Sequence, residues 1–191
     1  MTLEPLFTST AVVAIGEIGD KTQLLAIVLA AKFKRPVPII LGILAATLLN
    51  HTLAATLGYF VADILSGQPF RIAVGAAFLA MAAWALKPDR IDDQLTTTTR
   101  GGVFIATLVT FFLVEIGDKT QIATTLLAAR YHQIWLVTLG TTTGMLLADV
   151  PAVLLGEAAT RIVPLKYVRW TAAAIFAVIG AWVLLAAFRL V

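Results

Sequence analysis

The sequence predicts an all-α membrane protein with six transmembrane helices, arranged as two three-helix repeats of inverted topology. The first observation behind this is composition. Of the 191 residues, 60% are hydrophobic and 13% are charged, whereas soluble domains have about 45–50% and about 25%. The second is a seven-residue segment, EIGDKTQ, that occurs twice, at 17–23 and at 115–121. Each copy places three charged side chains inside a long apolar segment, where unpaired charge is costly and therefore marks a functional site.

Six apolar segments are candidates for crossing a bilayer, which takes about 20 residues. They are Pro5–Ala31, Pro36–Ala62, Phe70–Leu86, Gly102–Ala129, Ile134–Ala159 and Val168–Phe188. The first and the fourth carry the two EIGDKTQ copies. Trp84 and Trp182 lie near the ends of their segments and are interpreted as interfacial anchors.

The repeat extends beyond EIGDKTQ at a constant offset of 98 positions, pairing Gly42 with Gly140 and Phe78 with Phe176. We therefore predict a first repeat at 1–87, a linker at 88–100 and a second repeat at 101–191. Because three spans is an odd number, the second repeat enters the membrane from the opposite side. Inverted repeats of this kind are common in secondary transporters, whose sites lie near the midplane.

The linker is polar, contains a proline and balances its charges, so we interpret it as a solvated connection. Regulatory metal binding by Asp89, Asp92 and Asp93 is the alternative interpretation.

Basic residues predict the orientation. Nine lie at the segment ends of one side and three at those of the other. The nine are Lys32, Lys34, Arg35, Lys87, Arg90, Arg100, Arg161, Lys166 and Arg169, and the three are Arg71, Arg130 and Arg189. The richer side is expected to face the cytoplasm, which puts the linker inside and both termini outside. The N-terminus has no basic region typical of a signal peptide, so we expect a prokaryotic cell membrane.

The acids of the two EIGDKTQ copies are the predicted metal ligands, namely Glu17, Asp20, Glu115 and Asp118. Oxygen ligands alone favour hard divalent cations such as Ca²⁺, Mg²⁺ or Mn²⁺. Lys21 and Lys119 balance the charge, leaving −2 when all six groups are ionised, which matches one divalent cation. Carboxylates can also take up protons when the cation leaves, which is the minimal chemistry of a proton antiporter.

On a continuous helix, Glu and Asp of each copy would share one face, and Glu and Lys would form an ion pair four residues apart. Gly19 and Gly117 favour close helix approach or local unwinding. The pair Gly140 and Gly144 is typical of helix packing.

Other polar residues are predicted to support the site. Thr22, Gln23, Thr120 and Gln121 add neutral oxygens, and Asn50 and Asp149 lie inside the second and fifth spans. For Asn50, an interhelical hydrogen bond is an equal alternative. His51 is interpreted as a packed histidine that would favour Mn²⁺ slightly if it reached the site.

Two Glu-x-Gly-Asp-Lys/Arg-Thr/Ser motifs in a six-helix chain resemble uncharacterised protein family 0016. The motifs here are residues 17–22 and 115–120, and the likeness covers essentially the whole chain. The family includes Golgi calcium/manganese transporters, a chloroplast manganese transporter and bacterial manganese exporters. The resemblance implies exchange of Mn²⁺ or Ca²⁺ for protons, with the motif acids as ligands.

Several function classes are disfavoured or left open. The chain has no cysteine, which excludes thiolate metal sites and thiol catalysis, and its basic residues follow membrane topology rather than a nucleic-acid surface. An intramembrane hydrolase is disfavoured because the sequence has no His-Glu-x-x-His and no Gly-x-Ser-x-Gly. Export of a cationic organic solute such as a basic amino acid stays open, as does a cation channel. We expect no resident cofactor, with the cation, protons and the bilayer as partners, and the oligomeric state is left open.

Overall fold

The computed structural model describes residues 2–64, 67–87, 102–155 and 165–188, and these residues are all-helical outside short connections. Eight helices follow one another along the described chain. They are α1 (Glu4–Glu17), α2 (Lys21–Phe33), α3 (Pro36–Ile64), α4 (Gln68–Ala85), α5 (Gly102–Glu115), α6 (Lys119–Tyr131), α7 (Ile134–Leu155) and α8 (Leu165–Ala187).

Four of these helices are long and apolar enough to cross a membrane, namely α3, α4, α7 and α8. They coincide with the second, third, fifth and sixth predicted spans, with ends that differ by a few residues. Helix α5 is apolar but has only 14 residues. The number of long apolar helices in the described chain is thus four, because two of the predicted spans are interrupted.

The interruption falls within each EIGDKTQ copy, so the prediction of continuous first and fourth spans is wrong. Helix α1 ends at Glu17 and α2 begins at Lys21. In the second repeat, α5 ends at Glu115 and α6 begins at Lys119. The physical reason is the central glycine of each copy, with φ of +78° in the first and +74° in the second. Glycine adopts this left-handed conformation without the steric penalty that other residues meet.

The residue after each glycine is an aspartate that starts the next helix. Asp20 and Asp118 are in extended conformation at the N-cap positions of α2 and α6. The predicted common helical face of Glu and Asp is therefore wrong as well, and so is the predicted Glu–Lys pairing along one helix. Each copy is a helix end, a turn and a helix start.

The described surface is apolar, and the interior combines apolar clusters with buried polar residues. Large apolar side chains point outward along the long helices, among them Leu57, Trp135 and Leu147. Two clusters of buried apolar side chains lie inside, one around Phe78 and Phe176 and one around Ile43 and Phe111. The buried polar residues include Ser9, Thr47, Asn50, His51, Thr107, Thr110, Thr138, Thr141 and Asp149. An apolar exterior with polar groups facing the interior is the arrangement expected of a membrane transporter.

Helix α7 packs backbone to backbone against α1. A Cβ added at Gly140 would lie 2.5 Å from the Leu6 carbonyl oxygen, and one added at Gly144 would lie 2.6 Å from the Thr10 carbonyl oxygen. The predicted packing role of these glycines is confirmed. Because the contact positions advance together along both helices, α1 and α7 run in the same direction.

The corresponding helices of the other repeat, α5 and α3, pack in the same way. A Cβ at Gly42 would lie 2.9 Å from the Phe104 carbonyl oxygen. Further along, Asn50 Nδ2 donates to the Phe112 carbonyl oxygen at 3.1 Å. Helices α3 and α5 are thus parallel, and each EIGDKTQ copy is held by a helix from the other half of the chain.

Helices α4 and α8 correspond to each other in the repeat, and they run in opposite directions. Gln68 Nε2 at the start of α4 donates to the Ala187 carbonyl oxygen at the end of α8, at 3.1 Å. Midway, the rings of Phe78 and Phe176 stack with centroids 6.4 Å apart. These two phenylalanines are repeat equivalents, so the chain places equivalent residues face to face.

Some predictions fall outside the described residues. These are the linker 88–100 with Asp89, Asp92 and Asp93, and the end of the fifth predicted span at 156–159. The repeat bounds 1–87 and 101–191 stay a prediction.

Candidate metal centre

Three of the four predicted acidic ligands meet at the two helix breaks. Glu17, Asp20 and Asp118 each offer a carboxylate oxygen within 4.8 Å of the others. All three side chains are buried, with 0%, 3% and 2% exposure. Buried carboxylates this close repel one another, and a cation among them removes that repulsion. The arrangement can therefore hold a hard divalent cation, although its identity as a metal site stays a prediction.

The lysines pair across the two repeats. Lys21 Nζ lies 3.0 Å from Asp118 Oδ1, and Lys119 Nζ lies 3.6 Å from Asp20 Oδ1. The two lysines predicted to balance the charge therefore contact motif acids, and each forms its ion pair with the aspartate of the other half. The reciprocal pairs hold the two breaks against each other.

The glutamines stabilise the breaks. Gln23 Oε1 accepts a hydrogen bond from the Gly19 backbone N–H at 2.8 Å, and Gln121 Oε1 accepts one from Gly117 at 2.6 Å. Each glutamine stands at the third position of its helix, where it resembles the reaching-back side chain of a capping box. These oxygens are therefore engaged by the backbone, which modifies the prediction that they are neutral ligands.

The two threonines differ. Thr22 Oγ1 donates a short hydrogen bond to Glu17 Oε2. Thr120, its repeat equivalent, is buried beside Asp20 and Lys119, and its hydroxyl has no hydrogen-bond partner among the described residues. Thr22 thus fixes the orientation of the Glu17 carboxylate.

Glu115, the fourth predicted ligand, lies apart from the three clustered acids and against α3. Asn50 Nδ2 donates to Glu115 Oε2 at 3.0 Å. His51 Nε2 lies 3.5 Å from Glu115 Oε1. Asn50 makes the interhelical hydrogen bond that was the alternative, because it also donates to the Phe112 carbonyl oxygen, and its role in the cation site stays a prediction. His51 contacts an acid of the motif rather than being packed among apolar side chains alone.

Asp149, on α7, is the acid opposite Glu17. It is fully buried, and the carbonyl oxygen of its neighbour Ala148 accepts a hydrogen bond from Gln23 Nε2 at 3.1 Å. Asp149 thus lies in the interior of the protein on the side of the first helix break, and its role at the site stays a prediction.

One residue of the site was interpreted differently from sequence. The ring of Trp84, predicted as an interfacial anchor, has its centroid 6.0 Å from Lys119 Nζ. This distance permits a cation–π interaction. Nothing in the sequence indicates it, because it depends on how α4 packs against α6.

A small cavity adjoins Asp20. A space of about 20 Å³ is lined by Asp20, Lys119 and Thr120 together with Gly16 and Phe176, among others. A cavity of about 420 Å³ elsewhere is lined by Arg71, Arg130 and His132 and includes no acid. Its cationic lining makes it unsuitable for a metal ion.

Comparisons with known proteins identify the family. The model of the family "Divalent cation/proton antiporter GDT1" matches residues 5–93 and again 103–190. A Vibrio cholerae protein named "Putative manganese exporter" is 48% identical over 173 residues, which are 90% of this chain and 86% of the relative. "GDT1-like protein 3" of rice (Oryza sativa subsp. indica) is 25% identical over 157 residues, covering 69% of this chain and 56% of the relative. No solved structure matches.

The two family matches include both helix breaks, and they leave unmatched residues 94–102, at and just after the end of the linker, and the two ends of the chain. The predicted resemblance and the prediction of a transporter rather than an enzyme are confirmed. The chain belongs to the GDT1 family of divalent cation/proton antiporters and is a multi-pass membrane protein that transports cations.

Proposed function

We propose that the protein exports Mn²⁺, with Ca²⁺ as the alternative cation, from the cytoplasm in exchange for protons. The observation that carries this proposal is the buried group of Glu17, Asp20 and Asp118, with oxygens within 4.8 Å of one another. Oxygen ligands suit both cations. The name of the Vibrio relative, "Putative manganese exporter", favours Mn²⁺. Glu115 stays the fourth predicted ligand.

The space beside Asp20 supports an ion over an organic solute. The cavity of about 20 Å³ at Asp20 and Lys119 exceeds the roughly 10–15 Å³ needed for one water. It is far too small for a basic amino acid in this conformation. The cation is cargo, so the proposed function needs no resident cofactor.

We further propose six membrane crossings, with α1 and α2 forming one interrupted span and α5 and α6 another. The helix directions support this. Helices α1 and α7 would be the first and fifth spans, and α3 and α5 would lie in the second and fourth, so both pairs should be parallel. Helices α4 and α8 would be the third and sixth spans and should be antiparallel. All three relations agree with the contacts described above, and opposite directions for equivalent helices are the mark of an inverted repeat.

In the proposed cycle, the cation reaches the carboxylates from the cytoplasm, the two halves rock about the site, and the cation leaves outward. Protons then occupy the carboxylates for the return step. The burial of all three acids, each at most 3% exposed, favours such an occluded site over an open pore.

The proposal is tested by Mn²⁺ flux in proteoliposomes with an imposed pH gradient and a proton-sensitive dye. We expect Mn²⁺ to accumulate against its own gradient while the dye reports protons moving the other way, and added Ca²⁺ to compete. Liposomes without protein are the control. Mn²⁺ movement only down its own gradient, with no proton signal, would instead identify a channel.

The proposed orientation is tested by single cysteines, since the chain has none of its own. We expect Thr97→Cys, in the linker, to react with a membrane-impermeant maleimide only after cells are opened. Thr2→Cys, near the N-terminus, should react in intact cells. The reverse pattern would overturn the orientation, and labelling of both from outside would exclude a cytoplasmic linker.

A further inference from the structure

Asp149 is a buried carboxylate outside the group of three acids at the helix breaks. Its side chain has 0% exposure. Neither carboxylate oxygen has a hydrogen-bond partner among the described residues. Burying an acidic group without partners is unfavourable, so its place requires an explanation other than packing.

The packing of α7 directs Asp149 towards the break in the first repeat. Helices α1 and α7 run in parallel from the Leu6–Gly140 contact through the Thr10–Gly144 contact. Asp149 lies five residues beyond Gly144 and Glu17 lies seven beyond Thr10, so this register, continued for about one and a half to two turns, brings the two acids to a similar level.

A hydrogen bond fixes the same register. Gln23 Nε2 donates to the Ala148 carbonyl oxygen at 3.1 Å, while its Oε1 holds the turn at Gly19. One side chain thus ties the helix break to the residue next to Asp149.

The electrostatics place Asp149 among the motif acids. Besides Glu17, it interacts through space with Glu115 and Asp20. It is not one of the three acids within 4.8 Å of one another, so it borders that group from the α7 side.

The repeat equivalent of Asp149 is His51, and the two halves differ chemically at this point. Asn50 donates to Glu115 Oε2, and His51 Nε2 lies 3.5 Å from Glu115 Oε1. On the other side, Glu17 faces a second acid. The identical EIGDKTQ copies are therefore made unequal by α3 and α7, because α3 places an amide and an imidazole beside Glu115 whereas α7 contributes a further acid on the side of Glu17.

Resting on the proposed function, we propose that Asp149 supplies a carboxylate to the cation site in this conformation, in which Glu115 accepts a hydrogen bond from Asn50. When ionised, Glu17, Asp20 and Asp118 with the two lysines sum to −1, and Asp149 brings the sum to −2, which a divalent cation neutralises. A bound cation attracts Asp149 and replaces the repulsion that the carboxylate meets in its absence.

The test is equilibrium Mn²⁺ binding to the purified full chain in detergent, measured from the electron paramagnetic resonance signal of free Mn²⁺. We expect Asp149→Asn to weaken binding by roughly tenfold or more and to do so more than Glu115→Gln. Thr142→Val, a buried change of similar size on the same helix, should alter binding by less than about threefold. These ranges follow from the 10–100-fold effects of removing groups near a metal.

Thermal melting separates a binding role from a structural one. Without metal, Asp149→Asn should melt at the same or a higher temperature than the wild type, because an unpartnered charge is removed, and Mn²⁺ should raise its melting temperature less. Wild-type affinity in Asp149→Asn, a larger loss in Glu115→Gln, or a lowered metal-free melting temperature would each overturn the inference. Failure of the wild type itself to bind Mn²⁺ or Ca²⁺ would overturn the proposed function, and this inference with it.

Discussion

Replacing Glu17 with glutamine is expected to reduce Mn²⁺ transport to the background of empty liposomes, a loss of at least about 100-fold. This is the upper end of the roughly 10–100-fold range for outer-shell partners of metal sites, because Glu17 is placed to contact the cation itself. The change removes both a ligand and a proton acceptor. Glutamine has nearly the same shape, and its amide oxygen can still accept the Thr22 hydrogen bond, so we expect the fold to persist.

Glu4→Gln provides the matched control for this prediction. Glu4 lies on the same helix α1 but is exposed, and its contact is with the Tyr131 hydroxyl at 3.3 Å. Transport in Glu4→Gln should equal that of the wild type. Wild-type flux in Glu17→Gln, with correctly inserted protein, would rule out a shared carboxylate site.

Replacing Lys119 with methionine is expected to destabilise the protein by about 3–5 kcal/mol, the range for removing one partner of a buried ion pair. The change leaves Asp20 buried without its cationic partner and removes the contact with Trp84. The free energy of unfolding in mixed detergent micelles would measure the loss.

The repeat supplies the comparison for this second prediction, because Lys21→Met removes the equivalent cation. The Lys21 side chain is 25% exposed, against 8% for Lys119, so water can partly replace its role and the loss should be smaller. Equal losses of unfolding free energy would show that the exposure of the lysine does not determine the destabilisation. A larger loss for Lys21→Met would show that the more exposed ion pair is the more stabilising one.

The long helices were predictable because α3, α4, α7 and α8 are unbroken apolar runs whose length alone decides their structure. The helix breaks were only half predicted. Gly19 and Gly117 suggested local unwinding, yet the spacing of Glu and Asp was interpreted as though the helix continued. A signal was present, since an aspartate followed three positions later by glutamine is a helix N-terminus pattern like the capping box, as Asp20 and Gln23 show.

The partners of the charged groups could not be predicted from spacing. Lys21 lies one residue from Asp20 in the chain but pairs with Asp118, and only the packing of the two halves produces that contact. The unequal surroundings of the two glutamates had a visible basis, because Asn50 and His51 align with Ala148 and Asp149. The contacts of Asn50 and His51 with Glu115 could not be predicted, because they depend on side-chain distances between α3 and α5.

The reciprocal ion pairs also constrain the order in which the molecule can be made. Lys119 is synthesised about a hundred residues after Asp20, so the newly inserted first half enters the membrane before the cation for its aspartate exists. Lys21 likewise has no Asp118 to pair with until the second half is synthesised. The first half cannot reach its final charge balance during its own translation, and docking of the halves is therefore a late step of biogenesis that the ion pairs themselves stabilise.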